Sequence, residues 1–313
     1  MGSGQWSTDV YEAARAYRRR TGADAFGYTS SGAVTTHPAL DPRGVRFRES
    51  RDSAEHPESL AIAVLFDVTG SMGTVPRVLQ TKLPSLLGLL IRKGYVEHPQ
   101  IMFGAVGDAT CDRAPLQIGQ FESDNRMDDD LGRILLEGGG GGQMTESYEL
   151  AMYFMARHTA LDCLEKRGKR GYLFMIGDEF AYPKVDRRLV AKVIGDRIGE
   201  DIPVQRIVAE LRRKYEVFFI IPEGGYHSAD PRLRDFWRRL LGQNVLFLDD
   251  LGAVSETIAL TIGMSEQAID LAEGLGHLSE FGSDAGASVE RALAPLDVRP
   301  AVRHDRGGHT RLR

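Results

Sequence analysis

Apolar runs of strand length alternate with amphipathic helical patterns from about residue 60 onward. The runs are continuous rather than alternating, which is typical of strands buried on both faces of a sheet. This order predicts an α/β fold, with a doubly wound, mostly parallel central sheet, helices on both faces and one short antiparallel edge strand. The runs are LAIAVLF (60–66), IMFGAVGD (101–108), GYLFMIGDE (171–179), VFFII (217–221) and NVLFL (244–248), with LQIGQF (116–121) as the edge strand.

The segments outside this pattern divide the chain into three parts. Residues 1–57 are polar and arginine-rich, so we expect an N-terminal extension that packs on the core rather than a separate domain. Residues 58–275 form the predicted domain, with long helices at 145–166 and 255–275. Residues 276–313 form a C-terminal extension, whose basic tail from Leu296 contains proline and glycine and is predicted to be disordered.

The composition argues against several classes of protein. The 313 residues carry a net charge of −5, without the basic excess of nucleic-acid-binding proteins. Cys111 and Cys163 are far apart and form no CxxC motif, so we expect neither a disulfide framework nor a zinc site. The sequence contains no apolar segment of membrane-spanning length and no signal-peptide core at its start, and we therefore expect a cytoplasmic protein.

Oxygen-bearing side chains follow two of the predicted strands and one glycine-rich loop. VLFDVTGSM (64–72) places three of them at alternate positions after the first strand, GGGGGQMTES (138–147) places two at the start of a helix, and MIGDE (175–179) ends in two carboxylates. Ligands of such sheets bind beyond the carboxyl ends of the strands. If strands 60–66 and 171–177 are neighbours, one rim should collect Asp67, Thr69, Ser71, Thr145 and Asp178.

These motifs together resemble the metal-ion-dependent adhesion site (MIDAS) of the von Willebrand factor A (vWA) domain family, over roughly residues 60–275. The family pattern is Asp-x-Ser-x-Ser, then a threonine after a glycine pair, then an aspartate after a later strand. Here Thr69 replaces the first serine, hydroxyl for hydroxyl, and IGD stands where the family often has Thr-Asp-Gly. The resemblance implies a Rossmann-like vWA fold of the intracellular prokaryotic type.

The resemblance also implies a magnesium site, with Mn²⁺ or Ca²⁺ as alternatives. Thr69, Ser71 and Thr145 would be direct ligands, and Asp67 and Asp178 would act directly or through water. Two residues separate Thr145 from the glycines, which leaves Ser147 as an alternative ligand, and Asp108 is a further candidate carboxylate behind the metal. Because Mg²⁺ prefers six oxygen ligands and hydroxyls bring no charge, such a metal gains from one more carboxylate.

In the family that carboxylate comes from an Asp or Glu of a partner protein. The resemblance therefore implies a non-enzymatic protein-interaction module within an AAA+ ATPase-associated, stress or defence system, and a MoxR-type AAA+ ATPase would be one such partner. Taken singly, each motif has a structural explanation: Asp67 as a helix cap, Thr145 and Ser147 as caps, the glycines as a flexible loop and Asp178 as a turn residue.

An enzymatic alternative also fits part of the pattern. DVTGS resembles the DxTGT of P-type ATPases and haloacid dehalogenase relatives, Mg²⁺-dependent phosphatases in which Asp67 would be the nucleophile. Against this, Thr69 stands where such phosphatases carry a second carboxylate, and the next aspartate after Asp178 is Asp186, beyond the expected distance.

A P-loop, HExxH and GxSxG are absent. RNA binding as in Ro-type proteins would require a helical-repeat ring for which the chain has no room.

Overall fold

The computed structural model describes residues 4–138, 144–225 and 227–296. The predicted disordered tail and most of the glycine run therefore lie outside the described residues. The helices are α1 (Thr8–Thr21), α2 (Gly27–Ser30), α3 (Val75–Leu87), α4 (Arg126–Arg133), α5 (Tyr148–Arg157), α6 (Asp162–Arg167), α7 (Arg187–Val193), α8 (Val204–Leu211), α9 (Pro231–Leu241), α10 (Val254–Ser265), α11 (Leu271–Glu280) and α12 (Gly286–Leu293). The strands are β1 (Arg48–Ser50), β2 (Leu60–Asp67), β3 (Pro99–Val106), β4 (Leu116–Ile118), β5 (Thr145–Glu146), β6 (Thr159–Leu161), β7 (Gly171–Ile176), β8 (Phe180–Ala181), β9 (Lys184–Val185), β10 (Ile202–Pro203), β11 (Tyr215–Pro222) and β12 (Val245–Leu248).

The central sheet of the described residues has the strand order β12-β11-β7-β2-β3-β4. Its pairs are parallel except for β4, which runs antiparallel to β3 at the edge. β2 and β7 are neighbours, with Ile62 opposite Tyr172 and Phe66 opposite Ile176. The fold class predicted from the apolar runs is confirmed, and the direction of strand progression reverses between β2 and β7, where doubly wound sheets bind their ligands.

Helices cover both faces of this sheet. Every residue of β2 and β3 is buried, which requires cover on each side and explains why these strands carry no alternating pattern. α3 packs against α10, and α5 packs against α8. No helix of the described residues is both long and apolar enough to cross a bilayer.

The N-terminal extension contributes side chains to the same core. Tyr11, Phe26 and Leu40 are buried there, and the Tyr11 hydroxyl donates to the Gln80 carbonyl of α3 at 2.8 Å. Because this segment has few apolar residues, it depends on the domain for burial, and the short strand β1 and ion pairs such as Arg18–Asp128 and Arg51–Asp162 attach it as well.

Two predicted helices are wrong in their extent. The helix expected at 145–166 is interrupted by β6, which pairs in parallel with β1, with Arg48 opposite Thr159. The partner strand comes from the N-terminal extension, and no pattern within 145–166 could reveal it.

The helix expected at 255–275 ends at Ser265, and Gln267 has a positive φ of 59°. A second helix, α11, starts at Leu271 with the Asp270 side chain as its cap. The domain boundary drawn at residue 275 consequently falls inside α11, and buried side chains of α11 and α12, such as Leu278 and Val289, belong to the main core.

Candidate metal centre

Asp67 ends β2 and begins a tight turn. Its side chain is fully buried, and its Oδ1 accepts hydrogen bonds from the Thr69 backbone N–H and from the Thr69 hydroxyl, each at 2.7 Å. Gly70, with a φ of +20°, leads into the single 3₁₀ turn Gly70–Met72. Since the Thr69 hydroxyl donates its hydrogen to Asp67, the lone pairs of its oxygen remain available to a cation.

The second oxygen of Asp67 faces a buried tyrosine. The Tyr148 hydroxyl donates to Asp67 Oδ2 at 3.3 Å, and the ring packs edge-on against Phe219 and Trp237. Gly177 makes this approach possible, because a Cβ there would lie 1.8 Å from the Tyr148 hydroxyl oxygen. Tyr148 thus fixes the Asp67 carboxylate from the side of α5, a role that the sequence analysis missed.

Asp178 lies just beyond the end of β7. It is 1% exposed, and its Oδ2 accepts the backbone N–H of His227 at 3.1 Å. Gly225 passes so close that a Cβ there would be 2.4 Å from Asp178 Oδ2. Burial raises the pKa of Asp67 to about 7, and the nearby charge of Asp178 acts in the same direction. The structure therefore brings these two predicted residues together at the reversal point of the sheet.

Thr145 and Ser147 connect this rim to the loop after β3. Thr145, in β5, lies opposite Phe180 of β8, and Tyr182, which follows β8, donates its hydroxyl to Asp108 at 3.0 Å. Ser147 is fully buried, and its Oγ accepts the backbone N–H of Ala109 at 2.9 Å.

Ser71 falls within the 3₁₀ turn after β2, and its side chain lies outside what the structure describes. Asp108, the further candidate carboxylate, is 1% exposed. It begins the loop after β3, because the strand ends at Val106 rather than at Asp108 as the sequence suggested.

Two glutamates beside the predicted ligands also belong to the rim. Within the described residues, Glu146 Oε2 and Glu179 Oε2 are buried without a hydrogen-bond partner. Burial, reinforced by the charges of Asp67 and Glu179, raises the pKa of Glu146 to about 10. Burial and the charges of Asp67 and Asp178 raise the pKa of Glu179 to about 8. The sequence contained a signal for both, since each directly follows a predicted ligand.

The arrangement fits a hard divalent cation chemically. Its donors are carboxylate and hydroxyl oxygens, which such ions prefer, and a cation would favour the ionised form of carboxyl groups whose pKa values burial has raised. Across the described ranges, no three His, Cys, Asp or Glu side chains are grouped closely enough to hold a metal by themselves. A cation here would therefore depend on hydroxyl ligands as well as on Asp67 and Asp178.

Comparisons with known proteins give structural matches only. No protein-family model and no curated protein sequence matches the chain. The matching solved structures include the pilus adhesin SpaC from Lactobacillus rhamnosus GG in an open conformation, with 9% identity and a TM-score of 0.47 over 68% of this chain and 31% of that one. They also include a von Willebrand factor type A structure from Catenulispora acidiphila, with 13% identity and a TM-score of 0.41 over 67% of this chain and 43% of that one. Proximal thread matrix protein 1 from the mussel byssus, crystal form 2, matches with 12% identity and a TM-score of 0.41 over 65% of this chain and 47% of that one. The chain spans less than half the length of each of these structures.

Proposed function

We propose that the chain is a metal-dependent protein-interaction module of the vWA type, in which Mg²⁺ at the rim of β2 and β7 binds an acidic residue of a partner protein. The observation that carries the proposal is the meeting of Asp67, Thr69 and Asp178 at the reversal point of the sheet. Buried carboxylates gathered in this way repel one another unless a cation joins them.

Several residues of the chain would bind the ion. The Thr69 hydroxyl is a direct ligand, oriented by its hydrogen bond to Asp67. Asp67 and Asp178 bind directly or through water, and Ser71 and Thr145 complete the proposed MIDAS set. When bound, the cation supplies positive charge at the rim, and Mn²⁺ or Ca²⁺ would serve the same purpose.

The partner is proposed from the same chemistry. A protein that presents an exposed Asp or Glu could neutralise the remaining charge of the metal. By resemblance to the vWA family we propose a cytoplasmic, prokaryotic setting, with a MoxR-type AAA+ ATPase or another component of a stress or defence system as the partner. The proposed role involves no catalysis.

Calorimetric titration with Mg²⁺, Mn²⁺ and Ca²⁺ tests the site. The wild-type protein should bind one ion, and Asp67→Ala should lose that binding. Asp186→Asn is a matched control, because the Asp186 side chain caps α7 by accepting the backbone N–H groups of Arg188 and Leu189. Equal binding by wild type and Asp67→Ala would overturn the proposal, provided that circular dichroism shows both to be folded.

A second experiment tests the interaction. A pull-down with the full chain, with and without EDTA, should recover a partner only when the metal is present and only with Asp67 intact. Turnover of a chromogenic phosphate ester, or stabilisation by beryllium or aluminium fluoride, would instead favour the phosphatase in which Asp67 is the nucleophile.

A further inference from the structure

One histidine lies where the N-terminal extension meets the domain. His158 is the C-terminal cap of α5 and directly precedes β6. Its backbone carbonyl accepts the Arg48 N–H at 2.8 Å, at the point where β1 begins to pair with β6. The side chain is only 11% exposed, so its hydrogen bonds are made with the extension and the domain rather than mainly with water.

Both ring nitrogens of His158 face oxygen acceptors. Nδ1 lies 2.9 Å from the Val45 carbonyl oxygen and 3.2 Å from that of Arg46, and Nε2 lies 2.8 Å from Asp196 Oδ2. Partial burial would raise the pKa of Asp196, but hydrogen bonds from Tyr153 and His158 outweigh it and hold that pKa below its usual value, so this carboxylate accepts. A neutral imidazole has one N–H and an imidazolium has two. Only the protonated ring can therefore donate to the extension and to Asp196 at once.

The charged groups around the ring are compatible with this protonated state. Asp196 is an anion in direct contact, and the C-terminal end of α5 favours a positive charge. The positive charges of Arg157 and Arg46 act against protonation. However, Arg157 pairs with Glu210 at 3.0 Å, and the exposed Arg46 guanidinium lies over the Phe47 ring.

From these contacts we infer that His158 makes a pH-dependent contact that holds the N-terminal extension on the domain when its ring is protonated. When the ring loses one proton, the remaining N–H stays with the Asp196 carboxylate, because hydrogen bonds to charged acceptors are the stronger ones. A ring lone pair then faces the carbonyls of Val45 and Arg46, and the contact with the extension is lost. The contact is complete at low pH and weakens as the pH rises through the range of about 5 to 8, in which histidine changes its charge. This regulation does not depend on the proposed metal centre.

Hydrogen exchange of the full chain in EDTA, at about pH 5.5 and about pH 8.5, tests the inference. The quantity compared is the protection factor of residues 44–50, corrected for the intrinsic exchange rate at each pH and divided by that of β3. In the wild type it should fall at least about fivefold at the higher pH, which is the effect of losing one hydrogen bond. His37→Gln is the matched control and should show the same fall. His37 lies in the same extension, but its Nδ1 accepts the Ala39 N–H at 3.1 Å and so faces a donor.

Two variants separate the titration of the ring from a purely structural role. His158→Gln removes the titrating group, and the protection of residues 44–50 should no longer depend on pH. Asp196→Asn supplies an amide that can donate to the neutral ring, whose own N–H then remains with Val45, so protection should persist at about pH 8.5.

Equal protection of the wild type at the two pH values would overturn the inference, as would a fall in His158→Gln as large as in the wild type. If His158→Gln does not fold, Asp196→Asn decides, and a fall equal to that of the wild type would then overturn it.

Discussion

Two loops of this molecule begin with the same local structure and differ in what surrounds them. The loop after β2 starts Asp67-Val-Thr69, and the loop after β3 starts Asp108-Ala-Thr110. In each, the threonine donates both its backbone N–H and its hydroxyl to the aspartate, at 2.7 Å and 2.7 Å in the first loop and 2.8 Å and 2.8 Å in the second. Short polar side chains at strand ends commonly form such turns.

The difference lies in what faces each carboxylate. Each aspartate accepts a tyrosine hydroxyl on Oδ2, from Tyr148 at Asp67 and from Tyr182 at Asp108, and the Asp108 backbone N–H also donates to Asp112 at 2.6 Å. Asp67 is fully buried beside Asp178, at the point where the sheet reverses. The shared D-x-T turn therefore lies at the reversal point of the sheet in the first loop and one strand away from it in the second. Only the first loop continues with a serine, Ser71, where the second has Asp112.

The largest effect should come from the glycine that lets Tyr148 reach Asp67. Gly177→Ala should lower the free energy of unfolding by about 3 kcal/mol, because its Cβ would meet the Tyr148 hydroxyl at 1.8 Å within a packed aromatic cluster. The matching change beside the other loop is Gly107→Ala, whose Cβ would lie 2.6 Å from Asp112 Oδ2. It should lower the free energy of unfolding by less, since Asp112 is only half-buried and can move.

Chemical denaturation measures both changes. Gly286→Ala is the control, because nothing lies within 4 Å of the added Cβ. A smaller loss of unfolding free energy for Gly177→Ala than for Gly107→Ala would show that Tyr148 moves away from Asp67 at little cost. The hydrogen bond from Tyr148 would then not fix the Asp67 carboxylate.

The threonines compare the two loops directly. Thr69→Val should weaken Mg²⁺ binding about 10- to 100-fold, or about 1.4 to 2.7 kcal/mol, because it removes a proposed ligand and a hydrogen bond to Asp67. Thr110→Val removes the equivalent bond to Asp108 and should change Mg²⁺ affinity by less than about threefold. Calorimetric titration with Mg²⁺ measures both affinities. An equal loss of Mg²⁺ affinity in the two variants would mean that the loops share one cation or that neither threonine binds it.

Much of this comparison could be anticipated from the sequence. The apolar runs predicted strands that end at Asp67 and Asp178 but left their adjacency as a condition, and the pairing of β2 with β7 meets that condition. Both Asp67 and Asp108 begin a D-x-T turn, and the sequence separates them only at the fifth position, where Ser71 completes D-x-T-x-S after Asp67 and Asp112 stands after Asp108. Tyr148 was missed because its role depends on the absence of a side chain at Gly177, in a distant strand. The interruption of the helix at 158 was missed for a similar reason, since β1 supplies the partner of β6.

Removing one charge from each loop in the presence of EDTA sharpens the comparison further. Asp67→Asn should raise the free energy of unfolding by about 1 kcal/mol, because it relieves repulsion with Asp178 while an amide oxygen can still accept from Thr69. Asp108→Asn should be neutral or destabilising by about 1 kcal/mol, since its carboxylate accepts hydrogen bonds from the Thr110 N–H, the Thr110 hydroxyl and the Tyr182 hydroxyl. Thermal melts in EDTA and in Mg²⁺ measure this, and the gain for Asp67→Asn should disappear when Mg²⁺ is added. A loss of stability for Asp67→Asn in EDTA would mean that repulsion between Asp67 and Asp178 does not destabilise the protein without metal.

The smallest effect concerns a carboxylate that is paired with an arginine of the same chain. Asp24, in the N-terminal extension, pairs with Arg77 at 2.8 Å, and hydrogen bonding from that guanidinium lowers the pKa of Asp24 to about 2. A depressed pKa contributes stability that is present above the unfolded value near 3.9 and is lost as the pH falls toward the folded value. Because both side chains are partly exposed, Asp24→Asn should lower the free energy of unfolding at pH 7 by only about 0.5 kcal/mol.

That difference between wild type and Asp24→Asn should shrink between about pH 4 and pH 2 and should be reduced by salt. Denaturant titrations across this range measure it. A difference that persists below pH 2 would show that Asp24 acts through its neutral hydrogen bond to the Phe26 backbone N–H rather than through Arg77. The Asp24–Arg77 pair would then no longer serve as an example of a carboxylate stabilised by a cation, with which the carboxylates at the rim can be compared.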